Sequence, residues 1–272
     1  MALSPQERDN LVVWDGARRP HYEVYYLKLN DVPTRTAAWL RYTLLAPAPG
    51  KGDPVAELWG IFFFADDPKR NIALKKTFPI EEAVIARDRF SFRIGNAEIT
   101  NSSARGGLER NGKRLDWTLR WEPNRESFRH LPYAWMYRAP VPKTKVISPN
   151  LSVRFHGEIT AGGDRVILRG APGQQTHIWG TKHADRWVWG HCNAFEEDSE
   201  ALFEGLTAQV KIAGRRTPPL STFHFRYRGE SHTFNRGRQL LRAASQYELG
   251  EWRFDLSDRH RRFVGRVSSR LE

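Results

Sequence analysis

From Asp185 onward the chain alternates: Trp187, Trp189, His191, Asn193 and Phe195 fall on one face of an extended strand, and Val188, Gly190, Cys192 and Ala194 on the other. A period of two excludes a helix there. One face is aromatic and polar while the other is small, so the large face is expected to line a hollow or fill a core, with neighbouring backbone close on the small side. The surrounding stretch His177–Phe195, HIWGTKHADRWVWGHCNAF, holds three of the ten Trp, three of the nine His and the only Cys.

The rest of the chain repeats this grammar. YEVYYLKL (Tyr22–Leu29), TAAWLRYTLLA (Thr36–Ala46) and ELWGIFFF (Glu57–Phe64) read as strands, separated by Gly- and Pro-rich turns. Shorter strands are expected at 83–86, 89–94, 97–101, 106–110 and 114–121, with Asn111-Gly112 as a hairpin turn. Later strands are expected at 151–159, 165–169, 201–212, 222–228, 251–256 and 262–270, and within 231–247, where Gln239–Gln246 also fits a helix. Ser4-Pro5-Gln6-Glu7 resembles a capping box before a short helix. With 21 Gly, 16 Pro and few long helical patterns, the chain reads as all-β.

The passage 122–149 carries five Pro and reads as a connection between two halves. Both halves run aromatic strand, apolar strand, Pro-containing loop, aromatic strand, which suggests a duplicated unit. Two domains are expected, 1–130 and 131–272. The last strand-like run reaches the end of the chain, so the second domain is expected to lack its closing strand.

A length of 272 residues with 40% hydrophobic content supports a real core. The formal charge of +12 raises nucleic acid and anionic membranes as partners. The cations are spread along the chain, and the densest group (Arg253, Arg259, Arg261, Arg262, Arg266, Arg270) is interleaved with Asp255 and Asp258. Specific nucleic-acid binding is therefore not expected; a solvated basic surface and weak contact with an anionic membrane surface both stay open. One Cys excludes an intrachain disulfide framework, and no apolar run approaches ~18 residues, so a soluble cytoplasmic protein is expected.

Taken together, the aromatic first strand with Glu23, Tyr25 and Tyr26, the WGIFFF strand, the Pro-rich crossover, H-x-W-G and W-x-W-x-H-x-N-x-F resemble the lipocalin-related superfamily of tocopherol cyclase and the carotenoid 1,2-hydratases. The resemblance implies two tandem antiparallel lipocalin-like barrels. It also implies a cavity for a hydrophobic, isoprenoid- or polyketide-like small molecule, and cofactor-free cyclase or hydratase chemistry.

Protonating an alkene requires a buried acid, aromatic faces for the cation and a dry site. Glu23, His183 and His191 are the candidate proton donors; Trp179, Trp187 and Trp189 offer π-faces; Tyr25, Tyr26 and Asn193 are candidate ligand contacts. The strand carrying Glu23 and the strand carrying His191 are expected to face a shared cavity. The bland alternative is that these Trp fill barrel interiors and the polar residues satisfy backbone groups. The His spacing favours no metal site, and no nucleotide-binding, serine-hydrolase or zincin motif is present. A non-catalytic carrier or sensor of a hydrophobic ligand is the second functional reading.

Overall fold

The computed structural model describes residues 3–212, 214–237, 239–240, 243–257 and 261–269. These divide into two compact units, residues 1–129 with 144–182, and residues 130–143 with 183–272. Residues 144–182 thus belong with the first unit.

The first unit is one antiparallel sheet. Its strands are β1 (His21–Asp31), β2 (Thr36–Ala46), β3 (Val55–Phe64), β4 (Ile72–Pro79), β5 (Ala83–Ile85), β6 (Ser91–Ile94), β7 (Ala97–Thr100), β8 (Ser103–Arg110), β9 (Lys113–Arg120), β10 (Phe128–Arg129), β11 (Thr144–Ala161) and β12 (Asp164–Gly180). The order is β4-β3-β2-β1-β12-β11-β9-β8-β7-β6-β5, with β10 alongside β11, so the sheet rolls into a nearly closed barrel around one core. Tyr25, Tyr42, Phe92 and Trp117 fill it, and Trp117 Nε1 donates to the Tyr42 hydroxyl at 2.9 Å. Burial of such rings supplies most of the stabilisation, while the hydrogen bond removes the cost of burying two polar atoms.

The β11–β12 hairpin is long, and shifts of register between Ile147 and Asn150, Asn150 and Val153, and Phe155 and His156 let it bend. Gly157 sits beside the last shift at φ +126°, where a Cβ would lie 2.0 Å from the Thr118 carbonyl oxygen. Only glycine permits that approach.

A short helix, α1 (Pro5–Asn10), is capped as expected by the Ser4 side chain, which accepts from the Glu7 amide at 3.0 Å. Its last residue is anchored to the sheet: Asn10 and Gln175 exchange reciprocal amide bonds of 3.1 and 2.6 Å.

The second unit holds β13 (Arg186–Cys192), β14 (Leu202–Gln209), β15 (Lys211–Ile212), β16 (Arg215–Arg216), β17 (Leu220–Tyr227), β18 (Glu230–Phe234), β19 (Ala244–Glu248), β20 (Glu251–Ser257) and β21 (Arg262–Ser268). They form sheets β13-β14-β17-β18, β15-β16 and β19-β20-β21. Phe203 and Phe223 pack against Trp252 and Phe254 in its core, with Phe203 and Phe254 stacked at 5.4 Å. In the segment open to a helical reading, 239–240 are helical, with the Ala243 amide bonded to the Gln239 carbonyl at 3.1 Å, and Ala244–Glu248 is strand, while 238, 241 and 242 lie outside the described residues, as do 270–272.

The small face of β13, and not only the large one, is turned to a core. Val188 and Cys192 pack on the second core, and the Gly190 backbone faces Trp252, whose ring would lie 3.2 Å from an added Cβ. Trp187, on the other face, is 59% exposed. The small face is turned inward because the rings of Phe203 and Trp252 already occupy the space beneath it.

Candidate functional site

Each unit buries one carboxylate beside histidine, and the two differ in how fully that carboxylate is satisfied. In the first unit, β1 pairs with β12 so that Glu23 stands opposite Trp179 and Tyr25 opposite His177. Residues directly opposite share a face. His21, two positions from Glu23, shares it too.

The Glu23 carboxylate is fully buried and crowded with donors. Its Oε1 accepts from the Val13 amide at 2.7 Å and the Tyr25 hydroxyl at 3.0 Å, and lies 2.8 Å from His177 Nε2. Its Oε2 accepts from the Trp14 amide at 2.8 Å and lies 3.0 Å from His21 Nε2. The other His177 nitrogen, Nδ1, is 2.8 Å from the Asp9 carbonyl oxygen, so both ring nitrogens face acceptors. Tyr25 stacks on the same ring at 4.3 Å, with Trp179 at 4.5 Å.

Burial alone would push the Glu23 carboxyl up. The hydrogen bonds from His177 and His21, the His177 charge and the Val13 amide outweigh it and hold the carboxyl at about 2. The expectation that Glu23 donates a proton is therefore corrected: at neutral pH it has none, and it fastens the 13–14 segment to β1 and β12. Tyr25 is committed to Glu23. Tyr26 lies on the opposite face of β1, near Trp39 at 6.1 Å.

Trp14 links this cluster to a cavity of about 630 Å³, which is also lined by Val55, Pro79, Ile80 and Ile85, with Arg19, Asp53 and Glu81 among its charged groups.

In the second unit, Glu204 on β14 stands opposite His191 of β13 and His224 of β17, which sets three titratable side chains abreast on one face. Glu204 is fully buried. Trp189 Nε1 donates to its Oε1 at 3.1 Å. His130 Nε2 also stands 3.1 Å from Oε1, close but not aligned as a hydrogen bond. The other His130 nitrogen is 2.9 Å from the Thr222 hydroxyl. Among the described residues, no group donates to Glu204 Oε2.

His224, beside it, is held neutral: burial pushes its imidazole down, with the Arg226, His130 and His232 charges adding to the effect, to about 4. Of the residues singled out from sequence, Trp189 and His191 border this cluster. Asn193 is buried one residue beyond β13, and His183 is exposed. Glu23 and His191 thus belong to separate units, each with its own buried carboxylate. Sequence reasoning passed over Glu204, His130 and His21. His21 was findable by its i, i+2 relation to Glu23, whereas nothing local marks Glu204 or its distant partner His130.

The model of the family described as "Tocopherol cyclase-like" matches residues 81–269. The chain belongs to that family. The chain is 27% identical over 258 residues to the uncharacterized protein Rv0493c of Mycobacterium tuberculosis strain H37Rv, covering 94% of this chain and 71% of that protein. Its fold is similar to a crystal structure from Nitrosomonas europaea described as a candidate AttH, at a TM-score of 0.52 and 12% identity, covering 93% of this chain and 83% of that one. Kievitone hydratase from Nectria haematococca aligns at a TM-score of 0.48 and 10% identity, over 87% of this chain and 72% of that one. The architecture of this chain is all-β and lipocalin-like.

Proposed function

We propose that this member of the tocopherol cyclase-like family is a cyclase- or hydratase-type enzyme that adds an O–H group across an alkene of a hydrophobic, isoprenoid- or polyketide-like substrate. Glu204 is its proton donor, with His130 beside it. The observation that carries the reading is the buried Glu204 Oε2, which has no donor among the described residues although Oε1 is held by Trp189. A buried carboxyl oxygen left unsatisfied is costly, and such groups mark sites completed by a ligand or a reaction.

In this reading the Glu204 carboxyl delivers a proton from Oε2 to the less substituted alkene carbon. The carboxylate that remains is stabilised by the Trp189 N–H and by His130. The cation at the neighbouring carbon is captured by water or by a phenol of the same substrate, whose proton returns to Oε2. The O–H has then been added across the double bond and the acid regenerated, with no electron transferred and hence no redox cofactor required. The Trp189 ring offers a π-face to the cation.

The test is incubation with a panel of prenylated phenols in deuterated water, with products analysed by mass spectrometry. A ring-closed or hydrated product carrying one carbon-bound deuterium is expected from the wild-type chain and not from Glu204→Gln. Full turnover by Glu204→Gln would sink the assignment.

A second reading, a carrier or sensor of a hydrophobic ligand, is favoured by the cavity of about 630 Å³ beside Trp14, next to a carboxylate with no proton to give. It predicts a lipid-like molecule retained in native mass spectrometry of the protein from its own host, and no product.

A further inference from the structure

The segment that brings His130 to Glu204 continues into the most exposed aromatic surface of the second unit. Trp135 is 63% exposed and Tyr133 49% exposed, and their rings are stacked at 6.4 Å with 9° between planes. Val141, 61% exposed, lies in the same segment. The loop holding them is shaped rather than loose: Ala134–Tyr137 forms a 3-10 turn, and the Leu131 amide donates to the Tyr137 hydroxyl at 2.9 Å. A fixed loop that displays Trp and Tyr to water needs a reason, because large apolar rings are otherwise buried.

Its charge gives one. From Ser127 to Gly157 the sequence contains no Asp or Glu, in a protein of formal charge +12. Arg138 and Lys143 are exposed within the segment, and among the described residues neither is in a salt bridge with an acid.

We propose that the 131–143 loop docks the protein on an anionic lipid surface, with Trp135 and Tyr133 seated at the headgroup level and Arg138 and Lys143 paired with anionic headgroups. Amphipathic rings prefer that interface, and clustered cations without acids are drawn to it. This goes beyond the proposed reaction and does not depend on it, although a substrate of that class would be held in such a surface.

The test is co-sedimentation of the full chain with phosphatidylcholine vesicles with and without phosphatidylglycerol. Binding is expected only with phosphatidylglycerol. Arg138→Ala with Lys143→Ala should weaken it about thirtyfold, from the contribution of two cations near a charged surface. Trp135→Ala should weaken it at unchanged charge. Arg110→Ala with Lys113→Ala removes the same charge from an exposed hairpin of the first unit and should leave binding within about twofold, allowing for the small long-range effect of net charge.

Equal losses in the two charge variants would overturn the proposal in favour of general attraction to a basic protein. So would unaltered binding by Trp135→Ala, or a Trp135-dependent affinity for single-stranded RNA in place of vesicles. Turnover of a water-dispersed prenylated phenol should be unchanged in all these variants, so failure here leaves the proposed reaction standing and failure of that reaction leaves this.

Discussion

At the scale of single residues, the two fully buried glutamates, Glu23 and Glu204, separate structure from chemistry. Glu23 accepts from two backbone amides and a tyrosine and lies against two histidines, so replacing it by Gln leaves several donors facing a neutral amide. Breaking one partner out of such a buried charged network costs about 3–5 kcal/mol, and Glu23→Gln is expected to lose that much in denaturant unfolding. Glu204→Gln keeps the volume and the Trp189 bond, so its stability should change by less than about 1.5 kcal/mol while turnover falls by at least about a hundredfold. An unfolding cost for Glu204→Gln equal to that of Glu23→Gln would mean that Glu204 is also a structural clasp.

At the scale of elements, the long β11–β12 hairpin shows what a strand pattern conceals. Gly157→Ala places a Cβ on the Thr118 carbonyl oxygen at a φ that side chains rarely adopt, and it should cost about 1–3 kcal/mol or more in thermal unfolding, whereas Ala at the open turn position Gly163 costs only the backbone strain. The strands richest in aromatic and β-branched residues were readable: Thr36–Ala46 has its expected ends, and Glu57–Phe64 begins only two residues early. β4, IALKKTFP, escaped because Lys75 and Lys76 break its alternation. The middle of β12, GAPGQQT, was passed over because its buried positions include Gln174, Gln175 and Thr176. HIWG is the end of β12, pairing with β1, and stands in a different sheet from β13. The first cluster was therefore half legible, with Glu23, Tyr25 and Trp179 named. The second was visible only as Trp189 and His191, since pairing across β14 is a property of register and not of spacing.

At the scale of the whole molecule, these groups set how the protein responds to acid. His224 is depressed from its ordinary 6.5 to about 4, so the unfolded chain takes up a proton that the folded one refuses, and stability present above pH 6.5 is lost as pH falls toward 4. Glu23 is depressed from 4.5 to about 2, so its contribution is complete above pH 4.5 and is lost as pH falls toward 2. The surface carboxylates Asp15, Asp185, Asp198, Glu251 and Asp255, exposed or half-buried, are also lowered, chiefly by their hydrogen bonds, and act in the second window with little weight because solvent screens them. The positive charge, +12 at neutral pH, grows as carboxylates protonate and adds self-repulsion there. The melting temperature should therefore fall in two stages. His224→Asn should flatten the stage between pH 6.5 and 4, and Glu23→Gln the stage below 4.5, each relative to wild type at the same salt. Raising the salt should soften whatever part of the second stage comes from surface charge and leave the part owed to Glu23, because a fully buried carboxylate among its own donors is out of reach of the ions. A Glu23→Gln profile parallel to wild type below pH 4.5 would assign that stage to the surface.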